Sequence, residues 1–370
     1  MRLSRVSPAS AYAPGRVELL GNHTDYNKGV VLGAAIDRGL TVAGIGRLDE
    51  SIILTSIGAR DRIHASLNDL ASPGDGHWAN YPLGVVREFM LAGFEIRGFD
   101  AEISGDLPAG AGLASSAALE VAMAGLLMRL HELQVAPMEV AKLCQHAEND
   151  FAGVHSGLLD QATSVFGRAG HVIYLDCQSE EVRAIPFPKD CELVIAESGA
   201  KHALVQGYYN SRREECATAT DALGAESLRE VTPEHLEIAG GSLNPVIYRR
   251  AAHVVGENDR VWQAITALEA GDAETLGALM NASHESSRMN FENSSPELDQ
   301  LVELARSLTG VLGARLTGGG FGGATVSLVR ANRAEGIAEA LRQQYQHPSG
   351  HPATVFVCAL ADGAAARWNR

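Results

Sequence analysis

The sequence predicts an α+β protein with two domains, and three observations lead to this prediction. First, its 370 residues exceed the usual size of a single hydrophobic core. Second, apolar and polar residues alternate over Phe99–Ser104, and an Ala/Leu/Met-rich segment follows at 117–130 after a glycine-rich turn, which is typical of a half-buried strand leading into a buried helix. Third, a new series of strand and helix patterns begins at Glu192. We therefore expect domains at residues 1–186 and 187–370.

The remaining elements follow from the same two periodicities and from the positions of Gly and Pro. In the first domain we expect successive antiparallel strands at Val30–Ile36, Leu40–Ile45 and Ser51–Ile57, helices at Trp78–Leu91 and Met138–Asn149, and a strand at Val172–Asp176. In the second we expect strands at Leu193–Ala196, Thr325–Val329 and Thr354–Ala359, helices at Tyr208–Leu223, Leu298–Leu308 and near 333–345, and a helical stretch at 231–284.

Composition narrows the class of protein. With 46% hydrophobic and 20% charged residues the chain has the composition of an ordinary globular protein, and its net charge of -15 disfavours nucleic acid and anionic membrane as partners. Met1–Ser10 lacks the apolar segment of a signal peptide. The five cysteines have no metal-ligand spacing, so we expect reduced thiols in a cytoplasmic protein.

The glycine-rich turn before the helix predicts an anion site. Gly110 and Gly112 let the backbone approach a ligand closely, and Ser115 and Ser116 fall where an N-cap and the first unpaired N–H groups are expected. Unpaired amides and the positive end of the helix dipole converge there, which suits phosphate. No Lys-Ser/Thr pair follows the glycines, so this is not a Walker A loop and cationic charge must come from elsewhere. The alternative is a turn that binds nothing.

A dense polar stretch near the N-terminus predicts a site for a hydroxyl-rich ligand. Residues 13–29 mix apolar residues with Arg16, Asn22, His23 and Asp25. Sugars are bound through paired hydrogen bonds, and such a segment offers donors and acceptors for them. The alternative is a turn in which Asp25 and Asn27 bond their own backbone.

Two further features each allow two interpretations. Trp78 and Tyr81 could hold a purine ring between them, or they could only pack a helix against a sheet. Asp160 lies among apolar residues, so its carboxylate could enter a partly dry site, or it could cap a helix.

A second glycine-rich segment matches the residue pattern of a dinucleotide-binding motif but not the structural context that the motif requires. Gly318, Gly320 and Gly323 match G-x-G-x-x-G. A dinucleotide fingerprint must open a helix, whereas Thr325–Val329 is β-branched and strand-like. We therefore expect a glycine hairpin that closes over a ligand.

Taken together, these segments resemble the galactokinase family of the GHMP small-molecule kinases. The resemblance covers nearly all of the chain. Its three ordered motifs are Gly15–Tyr26, Pro108–Ala118 and Thr317–Thr325, and its secondary landmarks are Trp78–Tyr81, Ala147–Glu148, Gly157–Gln161, Tyr209–Cys216 and Ser295–Asp299.

The resemblance implies an N-terminal lobe like ribosomal protein S5 domain 2, a ferredoxin-like C-terminal lobe, and an active site between them. It also implies ATP-dependent phosphorylation of the anomeric hydroxyl of galactose, with Mg²⁺. The residues that it assigns are Asp160 and Arg16 for catalysis; Asn22, His23, Thr24, Asp25, Gly157 and Tyr209 for the sugar; Ser56, Trp78, Tyr81, Gly110, Ala111, Gly112, Leu113, Ala114, Ser115, Ser116, Gly319 and Gly320 for ATP; and Ser116 and Glu148 for the metal. The expected partners are therefore a small sugar and ATP, and the expected assembly is a monomer or weak homodimer.

Four positions depart from the family pattern. Asn22 replaces a Glu that contacts the outer end of the sugar, Ala114 replaces a Ser, and Glu18 and Gly319 replace Asn and Ala. Because a site that pairs a hydroxyl discriminates strongly, the change at Asn22 leaves a kinase for another sugar as the first alternative. A sensor that binds sugar and ATP without turnover is the second.

Overall fold

The computed structural model describes residues 7–74, 76–108, 110–200, 205–348, 350 and 352–368. The first six residues of the segment considered for a signal peptide therefore lie outside it. Within the described residues the strands are β1 (Ala9–Leu20), β2 (Val30–Gly46), β3 (Ser51–Ser56), β4 (Asp61–Ser66), β5 (Phe99–Gly105), β6 (His171–Asp176), β7 (Val182–Pro186), β8 (Cys191–Glu197), β9 (Val311–Thr317), β10 (Ala324–Arg330) and β11 (Val355–Cys358). The α-helices are α1 (Asn80–Leu91), α2 (Ser115–Leu130), α3 (Pro137–His146), α4 (Leu159–Phe166), α5 (Val205–Ala222), α6 (Pro233–Ala239), α7 (Pro245–Ala270), α8 (Ala273–Ser286), α9 (Pro296–Ser307), α10 (Ala334–Gln344) and α11 (Ala365–Trp368).

The described strands form two separate sheets. The N-terminal sheet has the order β4-β3-β5-β2-β6-β7, with β1 paired to β2, and the C-terminal sheet has the order β11-β8-β10-β9. Apart from the parallel pair β3–β5, the neighbouring strands are antiparallel. The predicted α+β class with two domains is thus confirmed. The first sheet ends at Pro186 and the second begins at Cys191, whereas the predicted domain limits themselves stay a prediction.

One predicted turn is absent, because β2 is a single strand of 17 residues. The sequence predicts two strands separated at Asp37–Gly39, where polar residues interrupt the apolar pattern. β1 pairs with β2 on both sides of this point, with a register shift between Pro14 and Arg16, so the polar residues stay extended. Tertiary pairing therefore overrides the local turn signal.

The helix α2 lies at the centre of the N-terminal domain. Twelve of its sixteen residues are buried, which agrees with its Ala/Leu/Met composition. It packs against β1, β2, α1, α3 and α4. Ala118, in its first turn, belongs to a hydrophobic cluster that also contains residues of both sheets. In the described part of the chain, no helix combines the length and apolar character needed to cross a membrane.

Candidate active site

An ion pair between Arg16 and Asp160 lies at the centre of the site. Arg16 belongs to β1 and Asp160 is the second residue of α4. Nε of Arg16 donates to Oδ1 of Asp160 at 2.6 Å and Nη2 donates to Oδ2 at 2.5 Å, a bidentate arrangement. The two side chains are 5% and 22% exposed. The residue before α4 is Leu158, so the carboxylate of Asp160 serves the ion pair instead of a helix cap.

Arg16 also reaches the glycine-rich turn. Its Nη1 donates to the carbonyl oxygen of Gly112 at 2.8 Å, and its backbone N–H donates to that of Leu113 at 3.1 Å. The cationic charge that the turn lacks in its own sequence is thus supplied by β1.

The turn ends at Ala114, which is the N-cap of α2. Ala114 is left-handed (φ 55°, ψ 48°) and makes no side-chain capping bond. The cap therefore lies one residue before the predicted position, and Ser115 and Ser116 are the first helical residues. Because the first N–H groups of a helix have no partner within it, their amides remain available to an anion. Residue 109 of the turn lies outside the described residues.

Glu148 and Ser116 bring two oxygen ligands together beside the turn. The Ser116 hydroxyl donates to Oε1 of Glu148 at 2.8 Å. Glu148 lies in a π-helical turn, Ala147–Phe151, that continues α3. Burial, together with the negative charge of Asp160, raises the pKa of the Glu148 carboxyl. A bound cation would relieve this desolvated negative charge.

A buried network of polar side chains holds the Glu148 carboxylate in place. Gln161 Nε2 donates to Oε2 of Glu148 and to Oε2 of Glu120, both at 2.9 Å, and the Ser156 hydroxyl donates to Glu148. Burial raises the pKa of Glu120 well above its usual range. This network of hydrogen bonds links α2, α4 and the π-helical turn.

Asn22 is buried and its amide is engaged by protein groups. Its Nδ2 donates to both carboxylate oxygens of Glu18 at 3.1 Å and to the carbonyl oxygen of Gly318 at 2.8 Å. Its Oδ1 accepts from Nδ2 of Asn293 at 2.8 Å and from the Ser287 hydroxyl at 3.4 Å.

His23 is likewise held on both ring nitrogens. Burial lowers the pKa of its imidazole to about 4, so the ring is neutral. Nε2 lies 3.0 Å from the carbonyl oxygen of Gly319, and Nδ1 lies 2.8 Å from the Tyr26 hydroxyl. Since a carbonyl oxygen only accepts, Nε2 carries the proton and Tyr26 donates to Nδ1.

Thr24 is buried away from the cleft. Its hydroxyl bonds the carbonyl oxygens of Gly21 and Val30 at 2.8 and 2.7 Å. Its geometry is that of a residue that holds the turn between β1 and β2.

Asp25, Gly157 and Tyr209 form another group of neighbouring residues in the site. Burial raises the pKa of the Asp25 carboxyl to about 6, and its Oδ1 accepts the Tyr26 N–H at 3.0 Å. A Cβ on Gly157 would lie 2.1 Å from Oδ2 of Asp25, so only glycine leaves room for this carboxylate. The Tyr209 ring packs on His23, with centroids 5.0 Å apart.

The glycine segment at 318–323 joins β9 to β10 as a hairpin, as predicted. A Cβ on Gly318 would lie 2.9 Å from the carbonyl oxygen of Gly112, so the hairpin closes directly against the glycine-rich turn before α2. Gly319 faces the cleft, whereas Gly320 packs against Asn293 outside it.

These parts surround one cleft of about 800 Å³. The predicted site residues that line it are Arg16, Asn22, His23, Asp25, Ser56, Trp78, Tyr81, Gly110, Gly112, Ala114, Ser115, Ser116, Glu148, Asp160, Tyr209 and Gly319. The predicted residues that do not line it are Thr24, Ala111, Leu113, Gly157 and Gly320. Ser56 ends β3, Tyr81 is on α1 and Trp78 lies in the turn just before α1, where its Nε1 donates to Asp61 at 3.2 Å.

Comparison with known proteins gives the family. Residues 80–168 match the GHMP kinases N terminal domain, residues 264–347 match the GHMP kinases C terminal domain, and residues 4–44 match the galactokinase galactose-binding signature. The galactokinase of Roseiflexus sp. (strain RS-1) is 43% identical over 356 residues, which cover 95% of this chain and 91% of that protein. The chain belongs to the galactokinase family of GHMP kinases. The galactokinase of Glaesserella parasuis serovar 5 (strain SH0165) is 39% identical over 96% of this chain and 94% of that protein.

Solved structures agree with this membership. The structure of Lactococcus lactis galactokinase complexed with galactose matches with a TM-score of 0.92 and 35% identity, over 96% of this chain and 94% of that chain. The mevalonate kinase of Methanococcus jannaschii matches with a TM-score of 0.66 at 20% identity, over 97% of this chain and 100% of that chain, and shares the fold.

One charged residue of the cleft, Glu18, is not among the site residues predicted from the sequence. Glu18 lines the cleft beside Arg16 and is 2% exposed. Strand alternation could have found it, because residues 16 and 18 of one strand point to the same face.

Proposed function

We propose that this chain catalyses the ATP-dependent phosphorylation of galactose at its anomeric hydroxyl, giving galactose 1-phosphate and ADP. Family membership supports the reaction class. The observation that carries the proposal is the Arg16–Asp160 pair, which lies between an open helix N-terminus and a polar pocket.

In the proposed reaction, the backbone amides of the turn and of Ser115 and Ser116 bind the β- and γ-phosphates of ATP. The anomeric oxygen attacks the γ-phosphorus, and the bond from that phosphorus to the β–γ bridging oxygen breaks. Arg16 stabilises the negative charge on the transferring group. Asp160 accepts a hydrogen bond from the anomeric hydroxyl, orients it for attack and takes up its proton as the new O–P bond forms, while ADP leaves with the electron pair of the broken bond.

We assign the metal site to Ser116 and Glu148. A carboxylate and a hydroxyl oxygen fit Mg²⁺, which binds through one or two carboxylates plus phosphates and water. Among the described residues, no group of three or more His, Cys, Asp or Glu is placed so that it could hold a metal ion, so phosphate and water would complete the ligand set. When bound, Mg²⁺ neutralises charge on the phosphate oxygens. Glu120 and Gln161 then serve to hold the Glu148 carboxylate in place.

The remaining predicted contacts divide between the two ends of the cleft. We assign Asp25 and Tyr209 to the sugar, with His23 and Gly157 shaping its pocket. Thr24 acts indirectly, by holding the turn that carries Asp25. Ser56, Trp78 and Tyr81 are assigned to the nucleotide base. Gly319 forms part of the floor between the two ends.

A kinase for a different sugar is the second candidate. It is favoured by Glu18 and Asn22. The family pattern has Asn at position 18 and Glu at position 22, so the amide and the carboxylate are exchanged in this chain.

A cytoplasmic location is also proposed, supported by five cysteines that are free in the structure. The monomer or weak homodimer stays a prediction.

The test is ADP release from ATP with a panel of galactose, its epimers, 6-modified hexoses and pentoses. Galactose is expected to have the highest kcat/KM. Asp160→Asn and Arg16→Ala should each lower kcat by about 10²-fold or more, the usual scale for a positioning or charge-stabilising group. Arg330→Ala removes a surface ion-paired arginine and serves as the matched control. A different preferred sugar would support the second candidate, and thermal stabilisation by sugar without ADP release would support a sensor.

A further inference from the structure

Glu18 lies on the cleft face of β1, two residues beyond Arg16. Both side chains line the cleft, while Val17 and Leu19 between and after them belong to the hydrophobic core. At about 3.3 Å per residue, the two positions are separated by about 7 Å along the strand. If Arg16 marks the reacting end of the sugar, Glu18 lies toward the opposite end of a hexose ring.

Asn22 has no free hydrogen-bonding capacity in this arrangement. A primary amide has two N–H donors and two acceptor sites. The donors go to Glu18 and to the carbonyl oxygen of Gly318, and the acceptor sites go to Asn293 and Ser287. The carbonyl of Gly318 only accepts, so it fixes which way the Asn22 amide points. A ligand could bond Asn22 only by breaking one of these contacts.

Glu18 has acceptor capacity left. A carboxylate offers about four lone-pair sites. Among the described residues, the Asn22 amide alone lies within hydrogen-bond distance of it, and Nη1 of Arg315 lies 3.8 Å from Oε1. Arg315 is fully buried, and its Nη1 donates instead to the carbonyl oxygen of Leu19 at 3.0 Å. The carboxylate is thus held by the Asn22 amide, and its remaining lone pairs are available to a ligand in the cleft.

We propose that Glu18 is the specificity-determining residue of the sugar pocket, accepting a hydrogen bond from a hydroxyl at the end of the sugar opposite its anomeric carbon. Asn22 is a positioning residue that orients the Glu18 carboxylate and does not contact the sugar. This inference rests on the proposed function, which supplies the orientation of the sugar. Burial raises the pKa of the Glu18 carboxyl to about 7, with Arg315 and Arg16 opposing the rise, so the group is largely ionised above neutral pH.

The test combines a change at residue 18 with the removal of single sugar hydroxyls, and it compares the resulting sugar affinities. These are measured by isothermal titration calorimetry without ATP. The ligands are galactose and its 2-, 3-, 4- and 6-deoxy analogues, and the proteins are wild type, Glu18→Gln and the control Glu102→Gln, an exposed glutamate on β5. Glu18→Gln should weaken galactose binding by about 10- to 100-fold, the usual effect of losing a charged hydrogen-bond partner. For one of the 3-, 4- or 6-deoxy sugars the variant and wild type should bind equally. The 2-deoxy sugar, altered near the anomeric carbon, should show the full loss, and Glu102→Gln should change nothing.

Two results would overturn the inference: no loss of galactose affinity in Glu18→Gln, or the same loss for all four deoxy sugars. If Glu18→Gln does not fold, wild type alone decides, because at least one of the 3-, 4- and 6-deoxy sugars must bind about tenfold more weakly than galactose. ADP release is measured separately. If galactose binds and the deoxy sugars show the expected affinities, but no ADP is released, only the proposed function is contradicted. If galactose does not bind, both the proposed function and the inference on Glu18 are overturned.

Discussion

At the scale of single residues, Glu18 and Asn22 place one carboxylate and one amide in contact inside the protein. Both side chains are almost fully buried. A change at either residue therefore alters the charge of a desolvated pair.

We predict that Asn22→Glu destabilises the protein by about 3 kcal/mol, because it places a second carboxylate beside Glu18 with no cation in hydrogen-bond contact. The exchange variant Glu18→Asn/Asn22→Glu keeps one carboxylate and one amide, so it should recover most of this loss. Urea unfolding of both variants and wild type measures the coupling. Equal stability of wild type and Asn22→Glu would contradict the pairing.

Glu18 also predicts a pH dependence of stability. Burial raises the pKa of its carboxyl from 4.5 to about 7, while Arg315 and Arg16 lower it and Asp25 raises it. Between pH 4.5 and 7 the folded state therefore binds more protons at this residue than the unfolded state, so its contribution to stability falls as pH rises through that window.

The measurement is the free energy of unfolding of wild type minus that of Glu18→Gln, taken from pH 4.5 to 8. This difference should fall by about 3 kcal/mol up to pH 7 and stay level above it. A difference that rises with pH would show that the carboxyl is stabilised in its ionised form.

At the scale of elements, the site depends on the contact between the hairpin of β9–β10 and the turn before α2. Gly318 has φ +77°, and a Cβ there would press on the carbonyl oxygen of Gly112. The same carbonyl accepts from Arg16. Displacing it would therefore disturb the ion pair with Asp160.

We predict that Gly318→Ala lowers stability by about 1–3 kcal/mol, from left-handed strain and the close contact, and lowers kcat/KM for ATP. The matched control is Gly336→Ala in α10, where a Cβ would meet no atom of the described residues within 4 Å. It should raise stability by up to about 1 kcal/mol through the higher helix propensity of Ala. Thermal melts and steady-state kinetics distinguish the two. Wild-type kinetics in Gly318→Ala would show that the hairpin contact is not needed for catalysis.

At the scale of the whole molecule, one hydrophobic cluster joins the two sheets. Val17 and Leu32 of the N-terminal sheet share it with Ile195 and Val326 of the C-terminal sheet and with Met280 of α8. The cleft lies along this junction, so the catalytic geometry depends on both sheets being in place.

We therefore predict that the two domains unfold in a single cooperative thermal transition, seen by calorimetry as equal calorimetric and van't Hoff enthalpies. Val326→Ala, in the shared cluster, should lower the midpoint of that one transition. Two resolved transitions, of which only one moves in the variant, would contradict a shared core.

The sequence by itself determined the class of the fold, most elements and the family, because these depend on short-range periodicity, on Gly and Pro positions, and on motifs that are contiguous in the chain. The helix α2, the hairpin at 318–323 and the polar stretch at 13–29 could all be predicted in this way. The assignment of Arg16 and Asp160 as catalytic residues came from the family resemblance and not from local pattern.

Only the tertiary structure decided which side chains face the ligand. Asn22 and His23 belong to a motif read as sugar contacts, but their polar atoms bond Asn293, Gly318 and Gly319, about 270 to 300 residues away. Strand alternation puts Glu18 on the same face as Arg16, but only the tertiary structure shows that this face lines a cleft and is not in contact with solvent. The reason is physical: a polar group is free for a ligand only if no other part of the chain satisfies it, and that is settled by contacts between segments distant in sequence.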